Sequence, residues 1–145
     1  MKNDVEKFNK ILSGESVFLF SIGSNDSFYF DTKNNVAIPF DEFKSNLKKI
    51  INISKKFTSE IIFTGLTIVD ENKTKHGQKN KYWENSNLKK YNDAIKNICN
   101  KNNLGFIPLW DVLKKEDLLD GLHPNSNGHK KIFLKVEKYM EVQLP

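Results

Sequence analysis

Two short segments carry side chains suited to acid–base chemistry. Asp120 and His123 stand three apart in Asp120-Gly121-Leu122-His123-Pro124-Asn125, just ahead of a helical pattern. At that spacing a carboxylate can sit beside an imidazole, fix its tautomer and leave the other ring nitrogen free as a base. The same residues also read as a plain turn into a helix, with Asn125 or Asn127 as cap and Pro124 fixing the backbone. The second segment is Phe20-Ser21-Ile22-Gly23-Ser24-Asn25-Asp26, where an apolar run stops at a glycine. Gly23 permits a sharp turn and the close approach of a ligand. Asn25 then falls at the rim beyond the run, where its amide can donate to an oxyanion. An ordinary Asn-Asp turn is the other reading of this stretch.

Both segments need a scaffold, and the apolar pattern supplies one. Three β-prone runs stand out: SVFLFSI (16–22), EIIFTGL (60–66) and GFIPLW (105–110). Each is continuous rather than alternating, as expected for parallel strands covered on both faces. Helical patterns lie between them. The first covers about 3–12, with Val5, Phe8, Ile11 and Leu12 on one face. The second starts near Asp41 as N-cap and carries Phe43, Leu47, Ile50 and Ile51. The third starts at Ser86 and carries Leu88, Tyr91, Ile95, Ile98 and Cys99; the fourth starts within 125–127 and carries Ile132, Phe133, Val136, Tyr139 and Met140. The alternation predicts an α/β fold, a three-layer α/β/α sandwich with a parallel sheet, in one domain spanning 1–145. Two long polar loops, about 24–39 and 69–85, follow the carboxyl ends of strands, where open α/β sheets place their sites.

Composition narrows the class. The 145 residues are 38% hydrophobic and 28% charged, so a folded domain is expected rather than a disordered tract. No apolar run approaches the ~20 residues of a membrane span. The charged, amphipathic start MKNDVEKFNKIL lacks a signal-peptide core, which leads to the expectation of a cytoplasmic protein. The net charge is +5, yet all 23 basic residues are lysine, interleaved with Asp and Glu. Without arginine for bidentate contacts, a nucleic-acid partner is not expected. The single Cys99 excludes a disulfide framework and a thiolate metal cluster.

Taken together, Gly-x-Asn-Asp after one strand and Asp-x-x-His-Pro before the last helix resemble the third and fifth sequence blocks of the SGNH hydrolases, the GDSL-type esterases and lipases. Residues 62–71, IFTGLTIVDE, look like the family's fourth strand and following loop, and Tyr91-Asn92 and Gly128-His129 also match its pattern. The resemblance runs from about 16 to 140. It implies a flavodoxin-like hydrolase fold and acyl-ester hydrolysis by a Ser-His-Asp mechanism. It also implies roles: Asn25 as an oxyanion-hole donor, His123 as the general base, Asp120 as the residue that orients His123. The implied partner is a small-molecule ester, a lipid or an acylated carbohydrate, with no cofactor and no metal.

The family's nucleophilic serine, in an earlier Gly-Asp-Ser block, has no counterpart in this sequence. Gly14-Glu15-Ser16 is the nearest imitation, but Ser16 begins the strand that Asn25 follows. At about 3.3 Å per residue the two stand roughly 20–30 Å apart, too far to share a substrate. Ser21 and Ser24 lie nearer the rim without the required turn. The resemblance therefore implies an N-terminally incomplete domain, with the missing block supplied by another chain, lost, or omitted at the gene start. The edge of 16–22 is then expected to be open, the isolated chain marginally stable or paired through that edge, and esterase activity absent. A non-catalytic binding module or pseudoenzyme is the alternative, and an unrelated flavodoxin-like nucleotide or phosphate binder a third reading.

The remaining candidates are minor. Tyr82 and Trp83 can line a substrate pocket or pin their loop to the body, and Gly23 lies against the same rim. Asp120, His123 and His129 make a poor metal set, because the third ligand would have to come around a helix. His129 is expected to cap or pack, His76 to face solvent, Cys99 to pack on its helix, and Phe106 and Trp110 to join the core.

Overall fold

The computed structural model describes residues 16–77 and 80–143. The helix expected over 3–12 and the side chain of His76 lie outside what it describes. In chain order the elements are β1 (Val17–Phe20), β2 (Tyr29–Phe30), α1 (Phe40–Ser54), β3 (Glu60–Thr64), α2 (Glu71–Gly77), β4 (Lys81–Tyr82), α3 (Asn85–Asn102), β5 (Gly105–Ile107), a 3-10 turn (Lys115–Asp117) and α4 (Ser126–Gln143). The expected α/β architecture is present. β1, β3 and β5 form a parallel sheet in the order β1-β3-β5. Phe20 lies opposite Phe63, and Phe63 opposite Phe106.

β3 is central, which is why residues 61–66 are all buried, including the polar Thr64. On one face Ile61 and Phe63 pack with Phe43, Leu47 and Ile51 of α1 and with Leu88, Tyr91, Ile95 and Cys99 of α3. On the other, Ile62 and Ile107 meet Ile132, Val136, Tyr139 and Met140 of α4. Phe106 and Trp110 are partly buried against the first of these clusters. Two helices start earlier than the polar residues suggest: the cap of α1 lies two residues before Asp41, and α3 starts one residue before Ser86. Pro39 takes the cap position of α1, and Asp41 and Glu42 sit in its first turn, where carboxylates favour the helix dipole. Glu84 takes the cap position of α3, which ends at Asn103 in a left-handed conformation.

β1 departs from the expectation of a strand covered on both faces. None of its residues is fully buried, and Leu19 is 44% exposed. The reason is position. β1 is at the end of the sheet, with β3 as its one neighbour among the described residues. Among the described residues, the strand whose edge was expected to be open is thus at the margin of the sheet.

The two long loops are more ordered than their composition suggests. β2 and β4 pair antiparallel, Tyr29 opposite Tyr82 and Phe30 opposite Lys81, so one loop is stitched to the other. The Tyr29 and Tyr82 rings lie 5.3 Å apart, and Lys33 bridges to Glu84 at 2.9 Å. Within 69–85, residues Glu71–Gly77 coil into α2. Asn85 closes that loop by exchanging two 2.9 Å hydrogen bonds with the backbone of Val69.

Candidate active site

The turn after β1 is built on Gly23. Its φ is +117°, a conformation open to glycine and strained for other residues. A Cβ there would stand 3.2 Å from Ile95 Cδ1 and 3.3 Å from Phe43 Cζ, so the backbone lies directly on the core. The chain then folds back on itself. Ser24 O accepts the Ser27 hydroxyl at 2.9 Å and the Trp83 indole N–H at 3.0 Å. Asn87 Nδ2 donates to Ser27 O at 2.6 Å. These bonds leave Asn25 exposed at the tip, on a cleft of about 240 Å³ whose other walls include Ser21, Asp26 and Leu66. Burial pushes the Asp26 carboxyl above its ordinary range, with its own N–H and that of Gly23 opposing.

The second segment is a small hairpin at the foot of α4. Leu118 bridges Pro124 antiparallel, and Leu119 N–H donates to His123 O at 2.8 Å. Asp120 Oδ1 accepts the N–H groups of Leu122 and His123 at 2.9 and 2.8 Å. Its Oδ2 lies 2.7 Å from His123 Nδ1, the geometry that keeps the proton on Nδ1 and leaves Nε2 free. Partial burial pushes the Asp120 carboxyl up, but the backbone and ring N–H groups of His123 and the N–H of Leu122 outweigh it. The group is held well below the usual carboxylate range. The pair is open to solvent, His123 at 62% and Asp120 at 42%.

Both segments lie at the carboxyl end of the sheet. Asp70, a little beyond β3, donates its N–H to Gly121 O at 2.8 Å and so holds the hairpin at that end. Leu66 lines the Asn25 cleft and packs in the large core cluster, on which Leu122 also rests. Asn92 Oδ1 accepts the Leu66 N–H at 2.9 Å, fixing the backbone between the two segments. Behind the hairpin, Asn125 Oδ1 accepts the N–H groups of Asn127 and Gly128, both at 3.0 Å, and is the cap of α4.

The other candidates separate cleanly. Trp83 is 4% exposed and pins its loop, the second of its two readings, and presents no face to a ligand; Tyr82 stays half-buried on the ribbon. Ser16 sits at the far end of β1, where its carbonyl accepts the Thr58 hydroxyl. Ser21 is exposed on the cleft, and among the described residues no hydroxyl is hydrogen-bonded to His123. His129 is exposed, with its N–H donating to Asn125 O at 2.9 Å. Cys99 is buried, and burial pushes its thiol up to about 12. Among the described residues no group of three or more His, Cys, Asp or Glu side chains is placed to hold a metal ion. None of the described helices is long and apolar enough to cross a membrane. Sequence reasoning missed the pairing of buried Asp117 with the partly exposed Lys131; Asp117, one of two Asp residues in KKEDLLD, carries no sign of burial there.

The chain is thus an α/β protein with a parallel sheet between helical layers, and it carries the Asp120–His123 pair and Asn25 at the carboxyl end of that sheet. The GDSL-like Lipase/Acylhydrolase family model matches residues 3–131, and the chain belongs to that family. It is 24% identical to the isoamyl acetate-hydrolyzing esterase of Saccharomyces cerevisiae, over 94% of this chain and 62% of the esterase. The chain thus spans less than two thirds of that relative's length. Among solved structures it is similar to the lipase/acylhydrolase from Enterococcus faecalis, with a TM-score of 0.71 and 17% identity over 99% of this chain and 71% of that one. It is also similar to a catalytic mutant of the acetylxylan esterase Axe2 from Geobacillus stearothermophilus, with a TM-score of 0.63 and 16% identity over 84% and 57% of the two chains.

Proposed function

We propose that this chain carries the base and oxyanion side of an acyl-ester hydrolase. The carrying observation is the 2.7 Å contact between Asp120 Oδ2 and His123 Nδ1, which leaves Nε2 unprotonated and accessible. In the proposed reaction a serine hydroxyl attacks the acyl carbonyl and gives its proton to His123 Nε2. Asp120 stabilises the imidazolium, and the developing oxyanion rests on the Asn25 amide and backbone N–H groups. The tetrahedral intermediate collapses to an acyl-serine as its bond to the alcohol oxygen breaks and His123 returns the proton to the departing alcohol; water, deprotonated by His123, then attacks the acyl-serine and releases the carboxylic acid. The substrate is a small acyl ester, a lipid or an acylated carbohydrate. The names of two relatives, an isoamyl acetate-hydrolyzing and an acetylxylan esterase, favour a short acyl group. Gly23 lets the backbone close on the core beneath the cleft, and Tyr82 borders the approach on the loop ribbon.

No described hydroxyl meets His123, so we place the nucleophile outside the described residues; with no Gly-Asp-Ser block in this sequence, the purified chain is expected not to turn esters over. The open edge of β1 runs up to the Asn25 cleft, and an extended segment paired there would deliver a hydroxyl to the rim. The open setting of His123 also suits a module that binds an ester without cleaving it. Hydrolysis of p-nitrophenyl acetate by the purified chain is the test. The expected result is no turnover that depends on His123. Turnover abolished by His123→Ala overturns the claim of an external nucleophile, and saturable ester binding without turnover favours the binding module.

A further inference from the structure

Asp117 is a charged residue with no solvent exposure, and the proposed chemistry makes no use of it. A carboxylate taken out of water is costly unless its oxygens are fully engaged, and here they are. Lys131 Nζ lies 2.8 Å from Oδ1 and 2.6 Å from Oδ2. Asn127 Nδ2 donates to Oδ1 at 2.7 Å, and the Lys114 N–H to Oδ2 at 2.9 Å. Lys131 and Asn127 both belong to α4, so the side chain ties the start of the hairpin to the first turns of that helix. The backbone of the same residue ties its end: Asn125 N–H donates to Asp117 O at 2.8 Å. Gly128 makes this closeness possible, since a Cβ there would fall 2.5 Å from Asp117 O. Between these two anchors lie Asp120 and His123.

We propose that Asp117 is a positioning residue, which clamps both ends of the 118–124 hairpin onto α4 and so fixes the contact between Asp120 and His123. The proposal rests on the reading of His123 as the base. Asp117→Asn is the discriminating variant: it keeps the shape but turns one acceptor into an N–H₂ donor facing Lys131, Asn127 and the Lys114 N–H.

The readout is NMR on the full chain, using the ¹⁵N shifts of the His123 ring for its tautomer and the Asp120 carboxyl ¹³C shift for its titration. Trp83 fluorescence confirms the fold, and His129 serves as an internal control. In the parent the Nδ1–H tautomer and a depressed Asp120 midpoint are expected. In Asp117→Asn the Asp120 midpoint is expected to rise by about one pH unit, tenfold in ionisation constant, with the Nε2–H tautomer gaining. A purely structural role would lower stability and leave these signals unmoved, and that result in a folded variant overturns the positioning role alone. If the parent itself shows no Nδ1–H tautomer, the base assignment falls, and this proposal with it. Should Asp117→Asn fail to fold, the double variant D117N/K131M, which leaves no stranded charge, is read in the same way.

Discussion

Replacing Gly23 by alanine probes the turn that presents Asn25, and two separate costs can be worked out for it. The backbone cost comes from φ = +117°, where a residue with a Cβ is strained by about 1–3 kcal/mol. The packing cost comes from a methyl placed 3.2 Å from Ile95 Cδ1 and 3.3 Å from Phe43 Cζ, inside a filled core; overpacking of this kind costs about 1–3 kcal/mol. Together Gly23→Ala is expected to destabilise the chain by about 2–5 kcal/mol, a fall in Tm on the order of 10 °C. Urea unfolding followed by Trp83 fluorescence is the assay, since the indole N–H is bonded to Ser24 O in that turn. A second substitution separates the two costs. Ile95→Val removes the Cδ1 atom in the way and alone costs about 0.5–1.5 kcal/mol. In the double variant the packing part is relieved and the backbone part remains, so the two changes sum to less than their separate effects by about 1 kcal/mol. A loss below about 1 kcal/mol for Gly23→Ala refutes the account of the turn. Strict additivity with Ile95→Val refutes the packing half of it.

Other outcomes follow from the same geometry. Asn92→Ala removes the acceptor of the buried Leu66 N–H and is expected to cost about 1–3 kcal/mol, read as a lower urea midpoint at unchanged slope. Native Cys99 is expected to resist iodoacetamide until the chain unfolds, because its thiol is buried and pushed up to about 12; rapid labelling of folded protein would contradict this. The Asp117 and Asp120 carboxyls are both depressed in the fold. Their contribution is therefore full above the unfolded carboxylate value, near about pH 4, and is lost as pH falls through the folded values. Asp26 is shifted the other way, so its protonation on acidification favours the fold. Asp41, held down by Lys44, adds to the depressed side, so three groups stand against one; Tm is expected to decline below about pH 4, and Asp117→Asn to flatten that decline.

The parts legible in the sequence are those whose pattern is local. β3 carries the continuous apolar stretch Ile61-Ile62-Phe63 because it is central, and that run identifies it without coordinates. The apolar faces of α1, α3 and α4 repeat at helical spacing, and their members meet the sheet as expected except Phe133, which is 59% exposed because it falls on the outer side of α4. The Asp120–His123 pair could be read because both partners lie in one turn. The contacts that hold this turn could not. Asp117 reaches Lys131 across 14 positions, and Trp83 reaches Ser24 across 59. Such pairings depend on how loops fold back, and no periodicity announces them. β2 and β4 are two residues each, too short for alternation to show, and α2, with the sequence ENKTKHG, has no apolar face to read. For β1 the open edge was expected, but the exposure of its face was not: VFLF reads as covered on both sides, and Leu19 is 44% exposed.

The β2–β4 ribbon joins excursions that leave two different strands, and this yokes their histories. Side chains alternate along a ribbon, so one extra residue in either excursion would turn Tyr29 or Tyr82 to the opposite side. A change of length on one side is tolerated when the other side shifts to match it. The two excursions should therefore lengthen and shorten in concert among descendants of this chain, and a chimera that borrows one of them must borrow both.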